Sequence, residues 1–181
     1  MGLEQNIKEI LYTEEDIKQI VDGLAARISK DYEGRNLVVL CILKGALMFY
    51  TDLVRRIENV NVEMDFMKVS SYGSSSKSSG IVRIVQDTEL DLAGKDVLVV
   101  EDIYDTGLTL KFLFKNLAAR NPRSVEAAVF MRKDIGIAPA VDPKYLGTVC
   151  PNAFVVGYGL DFDQMYRQFP YIGILDEKVY S

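Results

Sequence analysis

The stretch of sequence that decides the fold is Val97–Thr109, VLVVEDIYDTGLT. Four β-forming residues run directly into two adjacent carboxylates, Glu101 and Asp102, and a DTG segment that begins at Asp105 follows. The apolar residues after it recur at the i, i+3, i+4, i+7 and i+8 spacing of one helix face, until an Asn-Pro pair ends the pattern. The pattern predicts a buried strand that ends in acid and turns into the N-terminus of a helix.

This predicted turn has the chemistry of a sugar-phosphate site. The free amides of a helix N-terminus bind anions, and carboxylates beside them can bind hydroxyl groups or a metal ion. Gly107 lets the backbone approach a phosphate closely, and the hydroxyls of Thr106 and Thr109 can add hydrogen-bond donors. An Asp or Thr that only caps a surface helix is the commoner use of these residue types. That alternative leaves the carboxylate pair unexplained, because unpaired carboxylates are costly at the end of a buried strand.

The sequence VLVVED also opens phospho-receiver domains, in which paired acids hold Mg²⁺ near the start of the chain. Here the pair lies in the middle of the chain, and about 85 residues remain from that strand onward. That length is short of a typical domain of about 100 residues or more. The DTG segment also has no place in the receiver scheme, so we reject that alternative.

Composition excludes several classes of chemistry. The 181 residues include no histidine, so neither a Ser-His or Cys-His nucleophile system nor a His-ligated zinc site can exist. The net charge of −5 argues against a broad nucleic-acid surface, and we expect no nucleic-acid partner. The sequence lacks a run of about 20 apolar residues, and its polar start is unlike a secretion signal. We therefore expect a cytoplasmic protein with no membrane partner.

The rest of the chain alternates predicted helices with predicted strands. A helix begins at the Thr13 cap and runs to about Lys30, and a second runs from about Gly45 to Ile57. Strands are predicted at Leu37–Leu43, Val62–Phe66, Val125–Met131, Phe154–Val156 and Tyr171–Leu175. This alternation predicts one α/β domain over residues 1–181, with a mainly parallel sheet and right-handed crossovers.

The Val97–Thr109 segment resembles the 5-phosphoribosyl-1-pyrophosphate (PRPP) fingerprint of type I phosphoribosyltransferases. Its ED-x-x-DTG-x-T form is most similar to the hypoxanthine-guanine branch, and the resemblance covers nearly the whole chain from Leu37 onward. It implies an α/β fold whose mainly parallel central sheet is flanked by helices, with a small C-terminal hood and a flexible lid hairpin. The implied activity is Mg²⁺-dependent transfer of the phosphoribosyl group of PRPP to N9 of hypoxanthine or guanine, which releases pyrophosphate.

The resemblance assigns roles to the residues of the fingerprint. The 5-phosphate of PRPP binds the loop and first helical turn, namely Asp105, Thr106, Gly107, Leu108 and Thr109. Glu101 and Asp102 hold the ribose hydroxyls and the hydration shell of Mg²⁺, an ion that prefers oxygen ligands and keeps several waters. Asp105 is the implied catalytic residue, because it lies next to purine N7 and takes its proton as N9 attacks C1 of the ribose.

Two further segments are implied to bind pyrophosphate. Lys44 and Gly45, in Leu43-Lys44-Gly45, resemble a loop in which an exposed amide faces the leaving group, often beside a non-proline cis peptide. Arg167 falls where the family places an arginine, whose bidentate fork suits the anion. Taken alone, Lys44 at a strand end and Arg167 would each be read as an ordinary surface residue.

The purine site rests on Lys133 and on the segment FVVGYGLD, residues 154–161. The resemblance implies that Lys133 donates to O6 of the purine and that Phe154 stacks on its ring. The Val155 backbone reads the purine edge, and Asp161 meets the exocyclic group at C2 and a second Mg²⁺. A solvated lysine and a core strand with a glycine bend are the plain alternatives, although the bend leaves Asp161 unexplained.

The low-complexity segment Ser70–Gly80, SSYGSSSKSSG, has the composition of a flexible connector. It joins two β-like stretches, so a long hairpin with a mobile tip is the alternative. The resemblance favours a lid, in which Ser71 and Tyr72 close over the site and exclude water from a reaction with oxocarbenium character.

Two other functions stay open from sequence. One is a PRPP- or nucleotide-sensing regulator on the same fold, which would need a basic partner surface or an added DNA-binding module. The other is the same reaction with xanthine or a pyrimidine as the preferred base.

The family resemblance also implies a homodimer or homotetramer.

Overall fold

The computed structural model describes residues 2–71 and 82–180, which form two β-sheets and the helices around them. The strands are β1 (Ile7–Tyr12), β2 (Asn36–Leu43), β3 (Asn61–Ser71), β4 (Val82–Gln86), β5 (Asp96–Tyr104), β6 (Ser124–Lys133), β7 (Tyr145–Cys150), β8 (Val155–Val156) and β9 (Ile172–Leu175). The α-helices are α1 (Glu14–Asp31), α2 (Leu47–Val54) and α3 (Leu108–Ala118), and 3₁₀ turns cover Leu3–Asn6 and Glu177–Val179.

The larger sheet has the strand order β4-β3-β2-β5-β6-β7. All neighbouring strands are parallel except β4, which runs antiparallel to β3. Helices α1 and α2 cover one face, and α3 covers the other. The central strands β2 and β5 are continuous apolar runs because both of their faces are buried. The predicted α/β fold with a mainly parallel central sheet is therefore confirmed.

The helices form where the sequence provides caps and apolar stripes. Thr13 and Asp16 make a reciprocal capping box at the start of α1, as the acidic cap predicted. Helix α2 is shorter than the predicted span of Gly45 to Ile57. It starts only after a turn that contains Gly45, and its end tightens through i→i+3 bonds from Arg56 to Leu53 and from Ile57 to Val54.

The smaller sheet is antiparallel, with the order β1-β9-β8. Strands β8 and β9 come from the C-terminal part of the chain. Strand β1 comes from the N-terminal part of the chain and was not predicted; the small C-terminal hood stays a prediction. Beneath this sheet, Val156, Tyr166, Phe169 and Leu175 form a small apolar cluster of their own.

Strands β3 and β4 pair as the predicted antiparallel hairpin, with Ser70 opposite Arg83. The predicted lid falls largely between them, and Tyr72 lies outside the described residues. Ser71 is the last residue of β3. Elsewhere, Cys41 and Cys150 are buried and free. Among the helices of the described ranges, none is both long and apolar enough to cross a membrane.

Candidate active site

The carboxylate pair lies inside β5 rather than after it. The ladder to β6 continues through Glu101 opposite Val129 and ends at Tyr104 opposite Arg132. Only residues 105–107 then separate β5 from α3. The acids therefore stand at the carboxyl edge of a parallel sheet, where α/β folds bind their ligands.

Glu101 is the most strongly perturbed carboxyl group at this edge. Its Oε2 atom is buried and has no hydrogen-bond partner among the described residues. Burial, and next the charge of Asp102, raise the pKa of Glu101 well above its usual value. A buried acceptor without a partner is costly, so a ligand that donates a hydrogen bond or neutralises the charge would be favoured here.

Asp102 is held against the loop that follows β2. Its Oδ1 accepts a hydrogen bond from the Ile103 amide at 2.8 Å, and a Cβ at Gly45 would overlap its Oδ2. Burial raises the pKa of Asp102 to about 6, although the Ile103 hydrogen bond and the charge of Arg167 act in the opposite direction. Glycine is therefore required at residue 45, because any side chain there would displace the carboxylate.

The turn into α3 has the geometry of an anion site. Gly107 is the residue before the helix, with a φ of +73°, and no side chain caps the helix through it. The alternative of an Asp or Thr cap is thus contradicted, and the first amides of α3 have no intrahelical acceptor. The Ala140 amide donates to Thr106 O at 2.8 Å, and a Cβ on Gly107 would lie 3.1 Å from Val141 O. The turn is therefore packed firmly against the 140–141 segment.

Asp105 stands at the exposed mouth of the turn. Its Oδ1 accepts hydrogen bonds from the Thr106 amide and, at 3.1 Å, from the Thr106 hydroxyl. A cleft at this place is lined by Glu101, Ile103, Tyr104, Asp105, Gly107, Leu108, Thr109, Leu110 and Lys133. The structure thus brings most of the fingerprint residues to one cleft, together with Lys133 from the end of β6.

The predicted pyrophosphate loop contacts the loop after β8. The Leu43–Lys44 peptide is cis, as the resemblance had suggested for this position. A Cβ on Gly159, whose φ is +97°, would overlap the Gly45 carbonyl oxygen. The missing side chain of Gly159 therefore allows two backbones that are more than a hundred residues apart in sequence to touch, and the missing side chain of Gly45 leaves room for Asp102 beside them.

Arg167 is engaged with neighbouring groups. Its Nη1 donates to Gly159 O at 2.6 Å, and its Nη2 lies 2.7 Å from Asp161 Oδ1. Gln164, which the sequence did not indicate, accepts from Lys44 Nζ at 3.0 Å and from Arg167 Nη2 at 3.4 Å. The two predicted pyrophosphate cations thus converge on one neutral acceptor. No local sequence signal points to this contact, because it joins residues 120 positions apart.

A second cleft adjoins the first. It is lined by Asp102, Ile103, Lys133, Phe154, Val155, Leu160 and Asp161. All four predicted purine-binding residues line it, and Ile103 and Lys133 line both clefts. Ile103 and Leu160 were missed as site residues, although their positions inside the two motifs were a usable signal.

The chain was compared with known proteins. Residues 8–163 match the family described as phosphoribosyl transferase domain. A hypoxanthine-guanine phosphoribosyltransferase of Dictyostelium discoideum is 47% identical over 177 residues, which cover 96% of this chain and 98% of that protein. One from Mycobacterium bovis is also 47% identical, covering 97% of this chain and 90% of the relative.

A solved structure is similar over the same length. The crystal structure of a hypoxanthine phosphoribosyltransferase from Staphylococcus aureus superposes with a TM-score of 0.93 at 44% sequence identity. The superposition covers 99% of this chain and 97% of the other. The similarity therefore includes both sheets and both clefts.

Proposed function

The chain belongs to the phosphoribosyltransferase family, and we propose that it transfers the 5-phosphoribosyl group of PRPP to N9 of hypoxanthine or guanine. The products are inosine or guanosine monophosphate and pyrophosphate, so the reaction salvages free purines. One observation supports this most strongly: the fingerprint cleft and the second cleft share Ile103 and Lys133. A phosphoribosyl group in the first cleft would therefore lie beside a base in the second.

PRPP would bind by its 5-phosphate at the start of α3. The uncapped amides and the positive end of the helix favour a phosphate there, and Thr106 and Thr109 add hydroxyl donors. The ribose hydroxyls would then donate to Glu101 and Asp102. The Glu101 Oε2 atom, which no described residue hydrogen-bonds, supports this role, because a ribose hydroxyl would satisfy it.

The carboxylate pair also suits Mg²⁺, which prefers oxygen ligands. Within residues 2–71 and 82–180, no three acidic, Cys or His side chains are grouped to hold a metal. The two carboxylates, with substrate phosphates and water, would make the usual partial protein site for this ion. Asp161 would contribute to a second ion. When bound, Mg²⁺ neutralises negative charge on the pyrophosphate leaving group.

The chemical step needs a proton acceptor at the base. As N9 of the purine forms its bond to ribose C1, the bond from C1 to the pyrophosphate oxygen breaks. The proton on N7 passes to Asp105, which lies at the mouth of the fingerprint cleft. Arg167, Lys44 and the amide of Gly45 would receive the pyrophosphate, with the arginine exchanging its Asp161 partner for the anion.

The base would be held between an aromatic ring and an aliphatic side chain. Phe154 and Ile103 both line the second cleft, and a flat purine would fill the space between them. The Lys133 ammonium would donate to O6, and the carboxylate of Asp161 would accept from the amino group of guanine at C2. Lys133 therefore selects bases with a carbonyl at C6.

The resemblance also supports a cytoplasmic homodimer or homotetramer. Leu47 and Met48 of α2 are each 39% exposed, which is compatible with a contact to a second copy.

One incubation tests the proposal. The protein is mixed with PRPP, Mg²⁺ and hypoxanthine, and nucleotide and pyrophosphate are quantified separately. We expect inosine monophosphate and pyrophosphate in equal amounts, in the presence of Mg²⁺ only. Binding of PRPP without either product would instead indicate a sensor, and product with orotate or uracil but not with hypoxanthine would indicate a pyrimidine enzyme.

A further inference from the structure

The purine-stacking side chain of the proposed site is itself only partly held by the core. Phe154 directly precedes β8, and 36% of its surface is exposed. Its backbone is fixed, because Phe154 O accepts from the Leu175 amide of β9 at 2.9 Å. An exposed phenyl ring on a fixed backbone still has rotamer freedom, and a base that stacks on it must restrict that freedom.

Two aromatic rings outside the predicted site restrain Phe154. The Tyr180 ring stacks on it, with centroids 5.0 Å apart and planes 29° from parallel. Phe162 meets the same ring edge-on, at 5.6 Å and 87°. Phe162 and Tyr180 also contact each other, with their centroids 6.3 Å apart. The three rings therefore form a closed triangle, which we call the aromatic triad.

Tyr180 approaches Phe154 from outside the second cleft, which is the proposed base cleft. Of the described residues, those that line the base cleft include Phe154 and Lys133 but do not include Tyr180. Tyr180 instead lines a neighbouring cleft, on which Phe154 and Lys133 also border. Phe154 therefore borders both clefts, whereas Tyr180 borders the neighbouring cleft and is not among the residues that line the base cleft.

The position of Tyr180 depends on contacts made by the segments that flank the smaller sheet. The Asp176 amide donates to Asn6 O at 2.8 Å, and the Asp176 side chain caps the 3₁₀ turn Glu177–Val179, which Tyr180 directly follows. Since 40% of Tyr180 is itself exposed, its ring adds little to the buried core. Among the described residues, the aromatic rings that its own ring contacts are those of Phe154 and Phe162.

We propose that Tyr180 is a positioning residue for the purine, which acts by holding the Phe154 ring in the orientation that stacks on the base. The inference rests on the proposed function, because it requires Phe154 to contact a purine. Stacked aromatic pairs contribute a measurable stabilisation, and without Tyr180 the base has to order the Phe154 ring itself. The effect should be limited to ligands that carry a base.

The test compares two ligands that differ only in the base. Dissociation constants for inosine monophosphate and for ribose 5-phosphate are measured by calorimetry on the wild-type chain, Tyr180→Ala and Tyr180→Phe. We expect Tyr180→Ala to weaken inosine monophosphate about 3- to 10-fold and to leave ribose 5-phosphate within about 2-fold. Tyr180→Phe keeps the stacked ring and should bind both ligands as the wild type does.

Tyr171→Ala is the matched control. Tyr171 stacks on Phe169 at 5.2 Å and 20° in the same part of the chain, but it does not line the base cleft. If Tyr171→Ala weakens the nucleotide equally, or if Tyr180→Ala weakens both ligands equally, the effect is general destabilisation and the inference is wrong. An unchanged or lower dissociation constant for the nucleotide in Tyr180→Ala also overturns it.

Failure of Tyr180→Ala to fold and failure of the proposed function can both be distinguished from failure of this inference. If Tyr180→Ala does not fold, as judged by circular dichroism, Tyr180→Leu removes the stack while retaining bulk and is measured instead. If the folded wild-type chain binds ribose 5-phosphate but not inosine monophosphate, the proposed function fails, whatever the variants do.

Discussion

Replacing Asp102 by asparagine should stabilise the fold at high pH but not at low pH, and it should weaken the binding of PRPP. Burial raises the pKa of Asp102 to about 6 from a usual 3.8. An acid whose folded-state pKa is raised holds its proton more tightly in the native state than in the unfolded state. Its ionisation therefore destabilises the fold increasingly as pH rises from about 4 to 6, and fully above 6.

The size of this destabilisation follows from how far the pKa of Asp102 is raised. The pKa of Asp102 is higher by about 2 in the folded state than in the unfolded state, and this difference destabilises the ionised fold by about 3 kcal/mol at pH 8. Asparagine cannot ionise, and its Oδ1 can still accept from the Ile103 amide. For a chain of this length, about 1 to 3 kcal/mol corresponds to a rise in Tm of about 2 to 12 °C. At pH 4 the wild-type carboxyl is protonated in the fold, so the gain should almost vanish.

The assay is thermal unfolding at pH 4 and pH 8 in metal-free buffer, followed by the KM for PRPP at pH 8. Asp105→Asn is the matched control, because it removes an exposed carboxylate of the adjoining cleft and should change Tm little. We expect Asp102→Asn to raise Tm at pH 8 only and to raise the KM for PRPP about tenfold or more. A Tm that is unchanged or lower at pH 8, or raised equally at pH 4, would refute the reasoning.

Two more substitutions test the proposed general base and the contact between the loops at Gly45 and Gly159. Asp105→Asn removes the proposed general base while keeping the shape of the side chain, so kcat should fall by about 10²- to 10⁴-fold while the Kd for PRPP changes much less. Steady-state kinetics measure kcat, and a binding titration measures the Kd. Near-wild-type turnover would exclude Asp105 from the chemical step. Gly159→Ala places a Cβ on the Gly45 carbonyl oxygen at a φ of +97°, so urea unfolding should show a loss of about 2 to 4 kcal/mol. The control Gly23→Ala meets nothing within 4 Å and lies in α1, where alanine should be neutral or stabilising; an equal loss in both variants would contradict the assigned contact.

Much of the fold follows from local pattern, and the exceptions have identifiable causes. The apolar runs of β2 and β5 and the cap at Thr13 predict the central strands and α1 closely. Strand β1 was missed because its burial follows no alternation, so IKEILY resembles a polar surface segment. Strand β7 was missed because Gly147 interrupts it; a Cβ there would crowd the backbone of Phe130, a contact made only in the folded state.

The candidate site likewise has one part that the sequence indicates and another that depends on tertiary contacts. The order of Glu101, Asp102 and Asp105 is a local motif, and the sequence indicates it directly. The raised pKa of Asp102, however, depends on its burial against Gly45, which comes from a different strand. The contact between Gln164 and Lys44 and the stack of Tyr180 on Phe154 are likewise tertiary. Spacing along the chain contains no information about such contacts, so they could not have been predicted.

The choice of base tests the central claim most directly. The Lys133 ammonium can only donate, so the group it faces must accept; hypoxanthine and guanine present a carbonyl oxygen at C6, whereas adenine presents an amino donor. Sites built around such a hydrogen bond can reject the wrong partner by about 10⁴-fold or more. The measurement is kcat/KM for hypoxanthine, guanine and adenine at saturating PRPP and Mg²⁺. We predict turnover of the first two with adenine essentially inert; a value for adenine within tenfold of that for hypoxanthine would contradict the account.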